Sequence, residues 1–331
     1  MYFYDLPLHK LEDYLSLNGQ NKAKARILYK SIYREKISLG DISVLSAGTK
    51  ESLLKNLSFT LPHIITIQDD GETAKALLKM PDGNKTETVL MRHRYGAGVC
   101  VSTQVGCAMS CAFCQSGKLK KMRNLTAGEM VSQILVMSSL EQIAHVSVMG
   151  IGEPLDNFDN VKSFIEIISS PYGLAFGERH ITLSTCGIVP MIRRLPEING
   201  GFNLAVSLHA PDDELRNMLM PVNKRWDLHS LIEAVKDFSI SQCKRIAFEY
   251  ILLDGINDST EHAKELAELI NGINCFVNLI PYNETKTSGF RRSKNSDSFF
   301  DQLKKEGVNT IFRREFGSGI KAACGQLSAE L

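Results

Sequence analysis

The sequence predicts an α/β fold in which helices cover a parallel β-sheet. Beyond residue 98, seven β-rich runs follow one another, and five segments with helical spacing of apolar residues lie between them. Repeated strand–helix–strand units are typical of parallel sheets, since parallel strands need a crossover connection. The arrangement is an open sheet or a full or partial β/α barrel, so functional groups are expected at the C-terminal strand ends.

These elements can be placed along the chain. The β-rich runs are 99–103, 145–149, 180–184, 202–208, 245–253, 275–280 and 308–313. The helical segments are 127–141, 158–169, 228–239, 261–271 and 297–306. Thr126 and Glu129 form a capping-box pattern that predicts the start of the first of these helices.

The chain is expected to have three parts. Residues 1–60 alternate helical stretches with glycine breaks and carry nine Lys/Arg against six Asp/Glu, which predicts a small helical accessory domain whose cations can contact phosphates. Residues 61–95 change to short β-like runs with a turn signal at 81–84, which predicts a β-hairpin extension. Residues 96–331 form the α/β core.

Composition excludes several classes of protein. The 331 residues carry a net charge of +1, with 44% hydrophobic and 23% charged residues, which excludes disordered, collagen-like and coiled-coil proteins. No apolar run approaches the roughly 20 residues of a membrane-spanning helix. Acidic residues near the N-terminus argue against a signal peptide. Eight cysteines are too few for a disulfide scaffold, so we expect a cytoplasmic protein without membrane contact.

Three cysteines form the most informative motif. Cys107, Cys111 and Cys114 have the spacing C-x3-C-x2-C, and three thiolates can bind three corners of a cubane iron–sulfur cluster while one iron stays open. Zinc is the alternative, but a zinc site needs a fourth ligand, and the next cysteine, Cys186, is far away in the sequence. The pattern therefore favours a 4Fe–4S cluster with an open iron.

This triplet resembles the signature of radical S-adenosylmethionine enzymes, in which the open iron chelates the cofactor and reductive cleavage yields a 5′-deoxyadenosyl radical. Further motifs resemble one family within that superfamily, the bacterial RNA adenine methyltransferases that modify carbon 2 of an adenine in 23S ribosomal RNA and, in many members, in tRNA. They are the segments 100–106, 124–126, 149–154, 207–210 and 322–327. The resemblance implies a radical S-adenosylmethionine core with a partial, TIM-like (β/α)6 barrel. It also implies that the helical accessory domain of residues 1–60 binds RNA.

The resemblance also implies a reaction with two S-adenosylmethionine molecules per turnover. The first methylates Cys324, and the radical derived from the second removes hydrogen from that methyl group. The resulting methylene radical adds to the base, and Glu87 as base and Cys100 as resolving thiol release the product with a disulfide. Without the resemblance, Cys324 and Cys100 would be interpreted as structural thiols and Glu87 as an exposed strand carboxylate.

Cofactor contacts follow from the same resemblance. Gly152 and Glu153 match the segment that meets the amino end of the methionine moiety. Contacts to the remaining parts of the cofactor are implied for Ser184, Ser207, Leu208, His209 and Asn283. All of them lie at predicted C-terminal strand ends.

The implied partners are 23S ribosomal RNA in its peptidyl transferase region, the tRNA anticodon loop, and a one-electron reductant such as flavodoxin or ferredoxin. Four cations at Lys118, Lys120, Lys121 and Arg123 are candidate phosphate contacts. The chain departs from the family at 319–321, where Gly-Ile-Lys replaces Asp-Ile-Asp, and at Gln115-Ser116 after the third cluster cysteine.

Other functions remain open at this point. Related resistance enzymes share nearly all these motifs and methylate carbon 8, so the position of methylation is the main alternative. A non-catalytic iron–sulfur or zinc RNA-binding protein would leave Cys100, Cys324 and Glu87 without a role. A radical activase would share the triplet but would not need the C-terminal thiol.

Overall fold

A computed structural model of the protein describes residues 1–284 and 289–328. Within these residues the strands are β1 (His63–Asp69), β2 (Thr73–Lys79), β3 (Lys85–His93), β4 (Gly96–Cys100), β5 (Gln104–Val105), β6 (Arg123–Asn124), β7 (Ile143–Val148), β8 (Ile181–Thr185), β9 (Asn203–Ser207), β10 (Ile246–Leu252), β11 (Cys275–Pro281) and β12 (Thr310–Phe312). The helices are α1 (Leu8–Leu17), α2 (Lys24–Tyr29), α3 (Ala47–Asn56), α4 (Ala127–Met137), α5 (Phe158–Ser169), α6 (Val189–Ile192), α7 (Asp213–Leu219), α8 (Leu228–Ser241), α9 (Thr260–Leu269) and α10 (Ser296–Lys305).

Ten of these strands form one sheet in the order β1-β2-β3-β4-β7-β8-β9-β10-β11-β12. From β4 to β12 every neighbouring pair is parallel, whereas β1, β2 and β3 extend the β4 edge in antiparallel pairs. The α/β class predicted from the sequence is therefore confirmed. The predicted hairpin is β2–β3, and β1 adds a third strand to it.

Local sequence explains where the helices begin. The capping box at α4 is present, because the Thr126 hydroxyl accepts a hydrogen bond from the Glu129 amide and the Glu129 carboxylate accepts one from the Thr126 amide. Asp227 caps α8 by accepting from the Ser230 amide at 2.8 Å. The helix α5 has the predicted bounds, and its apolar residues are buried.

The strand β4 differs from its prediction, because it ends at Cys100 rather than at residue 103. The Ser102 amide donates to the side chain of Gln133 at 2.8 Å, and the Gln133 amide group donates back to the Ser102 carbonyl at 2.9 Å. The side chain of Gln133 on α4 thus binds both backbone groups of Ser102, just before the chain turns into the loop that carries the three cysteines.

Two short helices, α6 and α7, lie between predicted strands where no helix was predicted. The seven residues of α7 hold few apolar positions, and only Arg216 and Leu219 in it are buried. A segment this short does not show a helical period in the sequence. The helix α7 is important for the site because it carries Arg216.

The N-terminal helices pack on the α/β core. Phe3, Leu11 and Tyr33 belong to the same buried hydrophobic cluster as residues of the barrel strands. The carboxylate of Asp5 accepts a hydrogen bond from the Gly128 amide at the start of α4, at 2.7 Å. The domain boundaries at residues 60 and 95 stay predictions. None of the described helices is long and apolar enough to span a bilayer.

Candidate active site

A cavity of about 200 Å³ opens at the C-terminal ends of the parallel strands. Most of the residues that the sequence singled out line it. They are Cys100, Cys107, Cys111, Cys114, Gly152, Glu153, Ser184, Ser207, His209, Asn283 and Cys324. Of the catalytic, cluster and cofactor candidates, two do not, because Glu87 is buried behind the wall and Leu208 packs its side chain into the core.

The loop with the three cysteines is held in shape by glycine and by α7. Gly106 has a φ of 75°, and a side chain there would lie 2.2 Å from the carbonyl oxygen of Lys120. The Ala112 amide donates to the carbonyl of Leu219 in α7 at 2.9 Å. Burial is the main reason that the pKa of Cys107 rises to about 11, and Cys114 adds to it.

These thiols fit an iron–sulfur cluster. They face one cavity, and each influences its neighbours electrostatically. Across residues 1–284 and 289–328, no three side chains of His, Cys, Asp or Glu converge on a point that would hold a single ion. A cubane cluster does not require the thiolates to converge on one ion, because each thiolate binds a different iron.

Beside the thiols, Glu153 is a buried carboxylate with neutral partners. It accepts hydrogen bonds from the Leu155 amide at 2.9 Å, the Thr185 hydroxyl at 2.7 Å and the Cys186 amide at 2.8 Å. Burial raises its pKa, against the effect of these three donors. A buried carboxylate on a cavity wall can receive an ammonium group, which is the role that the resemblance implies.

The other strand ends complete the wall. Ser184 on β8 and Ser207 at the end of β9 reach the cavity, and Asn283 follows β11. Leu208 lies behind this wall, where its amide donates to the backbone carbonyl of Glu249 at 3.0 Å. His209 has a φ of 62°, and its Nδ1 accepts from the Ile251 amide at 3.1 Å. Burial lowers the pKa of His209 to about 3, so the ring is neutral.

Sequence reasoning missed Arg216, which the fold buries completely. Its guanidinium donates to the carbonyls of Leu208 (3.1 Å), Ser207 (3.1 Å) and Cys186 (2.8 Å), and to Asn223 Oδ1 at 2.7 Å. Arg216 therefore ties the ends of β8 and β9 together. Burial lowers its pKa to about 10, so the side chain stays charged beside Cys111.

Cys100 and Cys324, although 224 positions apart, share this cavity. Burial raises the pKa of Cys100 to about 11, and the next largest cause is Cys324 itself. Cys324 is solvent-accessible and lines the cavity. The protein that surrounds its thiol removes water from it, which raises the pKa of Cys324, while the charge of Arg313 lowers that pKa. Arg313, which was not singled out in the sequence, also donates to Glu249 Oε2 at 3.3 Å.

A tail from Gly317 to Ser328 carries Cys324 across the cavity. The Gly325 carbonyl accepts from the Gln115 amide at 2.8 Å, and the Leu327 carbonyl accepts from the Ser116 hydroxyl at 2.8 Å. The tail thus leans on the residues that directly follow Cys114, which brings its thiol next to the cluster ligands.

Glu87 lies under the end of this tail. Lys75 Nζ is 2.9 Å from Glu87 Oε1, and the Ser328 amide donates to Glu87 Oε2 at 2.9 Å. Both side chains of the ion pair are buried, at 9% and 0% exposure. The role of Glu87 as a base stays a prediction.

Two of the four cations that were predicted to contact phosphates are already paired with carboxylates of the chain. Lys121 pairs with Asp156 at 2.6 Å, and Arg123 forms ion pairs with Asp82 and Glu129. These two cations hold β6 and the loops around it together.

Fold and cavity together define a radical S-adenosylmethionine enzyme, and comparison with known proteins agrees. The model of the Radical SAM superfamily matches residues 101–270. A radical SAM methyltransferase from Sphaerobacter thermophilus superposes with a TM-score of 0.93 at 39% identity, covering 100% of both chains.

The chain belongs to the radical SAM RNA methyltransferase family. It is 44% identical to the probable dual-specificity RNA methyltransferase RlmN of Spiroplasma citri, over 99% of this chain and 97% of that protein. It is also 44% identical to the protein of the same name from Bacillus anthracis, over 99% of this chain and 93% of that protein. The predicted family and the predicted radical SAM fold are confirmed.

Proposed function

We propose that this enzyme methylates carbon 2 of an adenine in 23S ribosomal RNA, in the peptidyl transferase region, and of an adenine in the tRNA anticodon loop. The observation that carries the proposal is the meeting of Cys100 and Cys324 in one cavity with the three cluster thiols. Relatives whose name specifies dual-specificity RNA methyltransferases support two RNA substrates. We place the reaction in the cytoplasm.

The chemistry requires a radical because carbon 2 lies between two ring nitrogens and is too electron-poor to attack an electrophilic methyl group. A 4Fe–4S cluster held by Cys107, Cys111 and Cys114, together with S-adenosylmethionine, two molecules per turnover, supplies methyl groups and a carbon radical when bound. Flavodoxin or ferredoxin is the proposed source of electrons.

The residues of the chain then have separate tasks. Glu153 binds the methionine ammonium. Gly152 has no side chain and so lets the cofactor come close to the backbone. The remainder of the cofactor is surrounded by Ser184, Ser207, Leu208, His209 and Asn283. Cys324 accepts the methyl group and presents it to the base. The Cys100 thiol, on the cavity wall, loses its proton and attacks the sulfur of Cys324. The bond between that sulfur and the transferred carbon breaks, the carbon takes the electron pair and a proton to become the methyl group of the RNA, and the two sulfurs are left as a disulfide.

Glu87 is the proposed base that removes the proton from carbon 2. Its carboxylate is covered by the tail through the Ser328 amide and paired with Lys75. It can act only after the end of the tail has moved away. Glu87→Gln and Cys100→Ala should therefore both stop the reaction with RNA still attached to Cys324, visible as a slow band in a denaturing gel.

Nucleoside mass spectrometry tests the proposed product. Ribosomal RNA and tRNA from cells with and without the protein should differ in 2-methyladenosine. Finding 8-methyladenosine instead would assign the enzyme to the carbon 8 reaction. A tRNA fraction without the modification would restrict the proposal to ribosomal RNA. Intact-mass analysis of purified protein should find one extra methyl group on Cys324, and none on Cys324→Ala.

A further inference from the structure

The helix α7 lies against the cluster loop beside the ligand Cys111. The amide of Ala112, the next residue in that loop, donates to the carbonyl of Leu219 in α7 at 2.9 Å. Arg216 lies one turn earlier in the same helix and is completely buried. Its guanidinium donates to the carbonyl of Cys186 at 2.8 Å, and Cys186 lines the cavity that the three cluster thiols face. Arg216 is therefore directly behind the wall of the cluster site.

The positive charge of Arg216 is buried, and its hydrogen bonds do not neutralise it. The four hydrogen bonds that its guanidinium donates to residues described by the structure end on neutral oxygen atoms, three backbone carbonyls and Asn223 Oδ1. The amide group of Asn223 separates it from Asp213, to whose Oδ1 that amide donates at 2.7 Å. Asp213 is exposed, so water screens its charge. Because a guanidinium keeps its proton in proteins, a positive charge remains in the interior.

This charge acts on the cluster ligands. Burial raises the pKa of Cys111, the two other cluster thiols and Glu153 add to the rise, and Arg216 opposes it. Arg216 therefore favours negative charge at this ligand, whereas Glu153 disfavours it. An iron–sulfur cluster gains one negative charge when it is reduced, and its reduction potential depends on the charges and the solvent around it. The buried guanidinium is placed where it stabilises that added charge.

We propose that Arg216 raises the reduction potential of the iron–sulfur cluster, because its buried charge behind the cavity wall stabilises the reduced form. In the step that it favours, a one-electron donor is oxidised and the cluster is reduced, with no bond formed or broken. The inference rests on the cluster of the proposed function, but not on the RNA or on the carbon that is methylated. Arg216 acts through Cys111 from behind the wall, so it is a positioning residue and not a catalytic one.

A purely structural role is the competing explanation, since Arg216 also ties the ends of β8 and β9 together. Two substitutions separate the charge from the hydrogen bonds. Arg216→Lys keeps the positive charge but has fewer donors, whereas Arg216→Gln keeps a donor but loses the charge. If the arginine acts through its charge, the reduction potential should follow the charge and not the stability of the protein.

A redox titration of anaerobically prepared, iron-loaded enzyme, followed by electron paramagnetic resonance, measures the potential without RNA. In Arg216→Gln the equilibrium constant for one-electron reduction should fall about tenfold, which corresponds to 59 mV. Arg216→Lys should stay close to the unaltered enzyme. Arg245→Met, which removes an exposed arginine that also bonds a carbonyl, is the matched control and should leave the potential unchanged. An unchanged potential in Arg216→Gln, or equal falls in the glutamine and lysine variants, would refute the inference.

A charge exchange keeps the test decisive if Arg216→Gln does not bind iron. Asp213→Asn/Asn223→Asp leaves the net charge and the arginine in place, but it puts a carboxylate directly on the guanidinium, because Asn223 Oδ1 accepts from Arg216 at 2.7 Å. The potential should then fall as in Arg216→Gln. Full iron content with an unchanged potential would overturn the inference. A reduced, unaltered enzyme without an iron–sulfur signal would refute the cluster and this inference together, whereas nucleoside mass spectrometry tests the methylation separately.

Discussion

Two regions of this enzyme each bury a carboxylate, and they do so differently. At the strand ends, the hydrogen bonds that Glu153 accepts from described residues come from neutral donors, the Leu155 and Cys186 amides and the Thr185 hydroxyl. At the hairpin, Glu87 is bound by the ammonium of Lys75 and by the backbone of Ser328, 241 positions away.

The difference indicates which region can move. The donors of Glu153 include Thr185 in β8 and Cys186, whose carbonyl is bound by Arg216, so we expect this wall to stay in place when substrates bind. The tail contacts Glu87 through the backbone amide of Ser328, and it rests on the cluster loop through hydrogen bonds with the Gln115 amide and the Ser116 hydroxyl. We infer that the strand ends form a fixed cofactor site and that the tail is the part that must open.

Cysteine substitutions should separate the regions most sharply. Cys111→Ser removes a cluster ligand, so iron content and methylation should both be lost. Cys324→Ser removes only the methyl carrier of the tail, so iron should remain while methylation is lost. Iron analysis and nucleoside mass spectrometry measure both, with the exposed Cys243→Ser as control. Iron loss in Cys324→Ser would show that the tail also maintains the cluster.

Arg216→Met should cause the largest loss of stability. It leaves three backbone carbonyls and Asn223 Oδ1 buried without a donor, which costs about 3–5 kcal/mol in the free energy of unfolding. Arg245→Met removes an exposed arginine that also bonds a carbonyl and should cost less than about 1 kcal/mol. Denaturant midpoints measure both, and equal losses would contradict a fixed strand-end region.

Lys75→Met should lower the stability of the protein around Glu87 and the tail, and it should leave the cofactor site at the strand ends unchanged. The carboxylate of Glu87 loses its buried cation, which should cost about 2–3 kcal/mol. Adding Glu87→Gln should restore part of the loss, because no unpaired charge remains. Binding of S-adenosylmethionine, followed by calorimetry, should be unchanged in both variants. A marked loss of cofactor affinity would mean that the two regions are coupled.

The smallest effect is a pH dependence at the strand ends. His209 has a pKa of about 3 in the folded protein because of burial and Arg216, against 6.5 when unfolded. The unfolded chain therefore binds the extra proton first, and stability is lost as pH falls below 6.5. Between pH 7 and pH 5, His209 should lower the free energy of unfolding by about 1–2 kcal/mol.

His209→Asn should reduce that acid sensitivity, and asparagine tolerates the left-handed backbone at this position. Unfolding free energies of both proteins at pH 5 and pH 7 test this. The difference between the two proteins isolates His209 from the other histidines. An identical pH slope in the variant would show that His209 does not titrate as inferred.

The sequence by itself determined the parallel α/β class, the hairpin, the capping box of α4 and the cysteine motif. Each of these is encoded over a few neighbouring residues, by periodicity, turn residues or ligand spacing. The resemblance to known methyltransferases pointed further, to Cys100 and Cys324, although no local pattern connects them.

Only the tertiary structure revealed Arg216, Arg313 and the Lys75–Glu87 pair, and only it placed Glu87 beneath the tail. A buried arginine in a polar seven-residue helix has the same sequence appearance as an exposed one. What distinguishes it is the set of carbonyls that surround it, contributed by separate strands and loops. Long-range packing therefore decided the electrostatics of the site, because charges act through space and not along the chain.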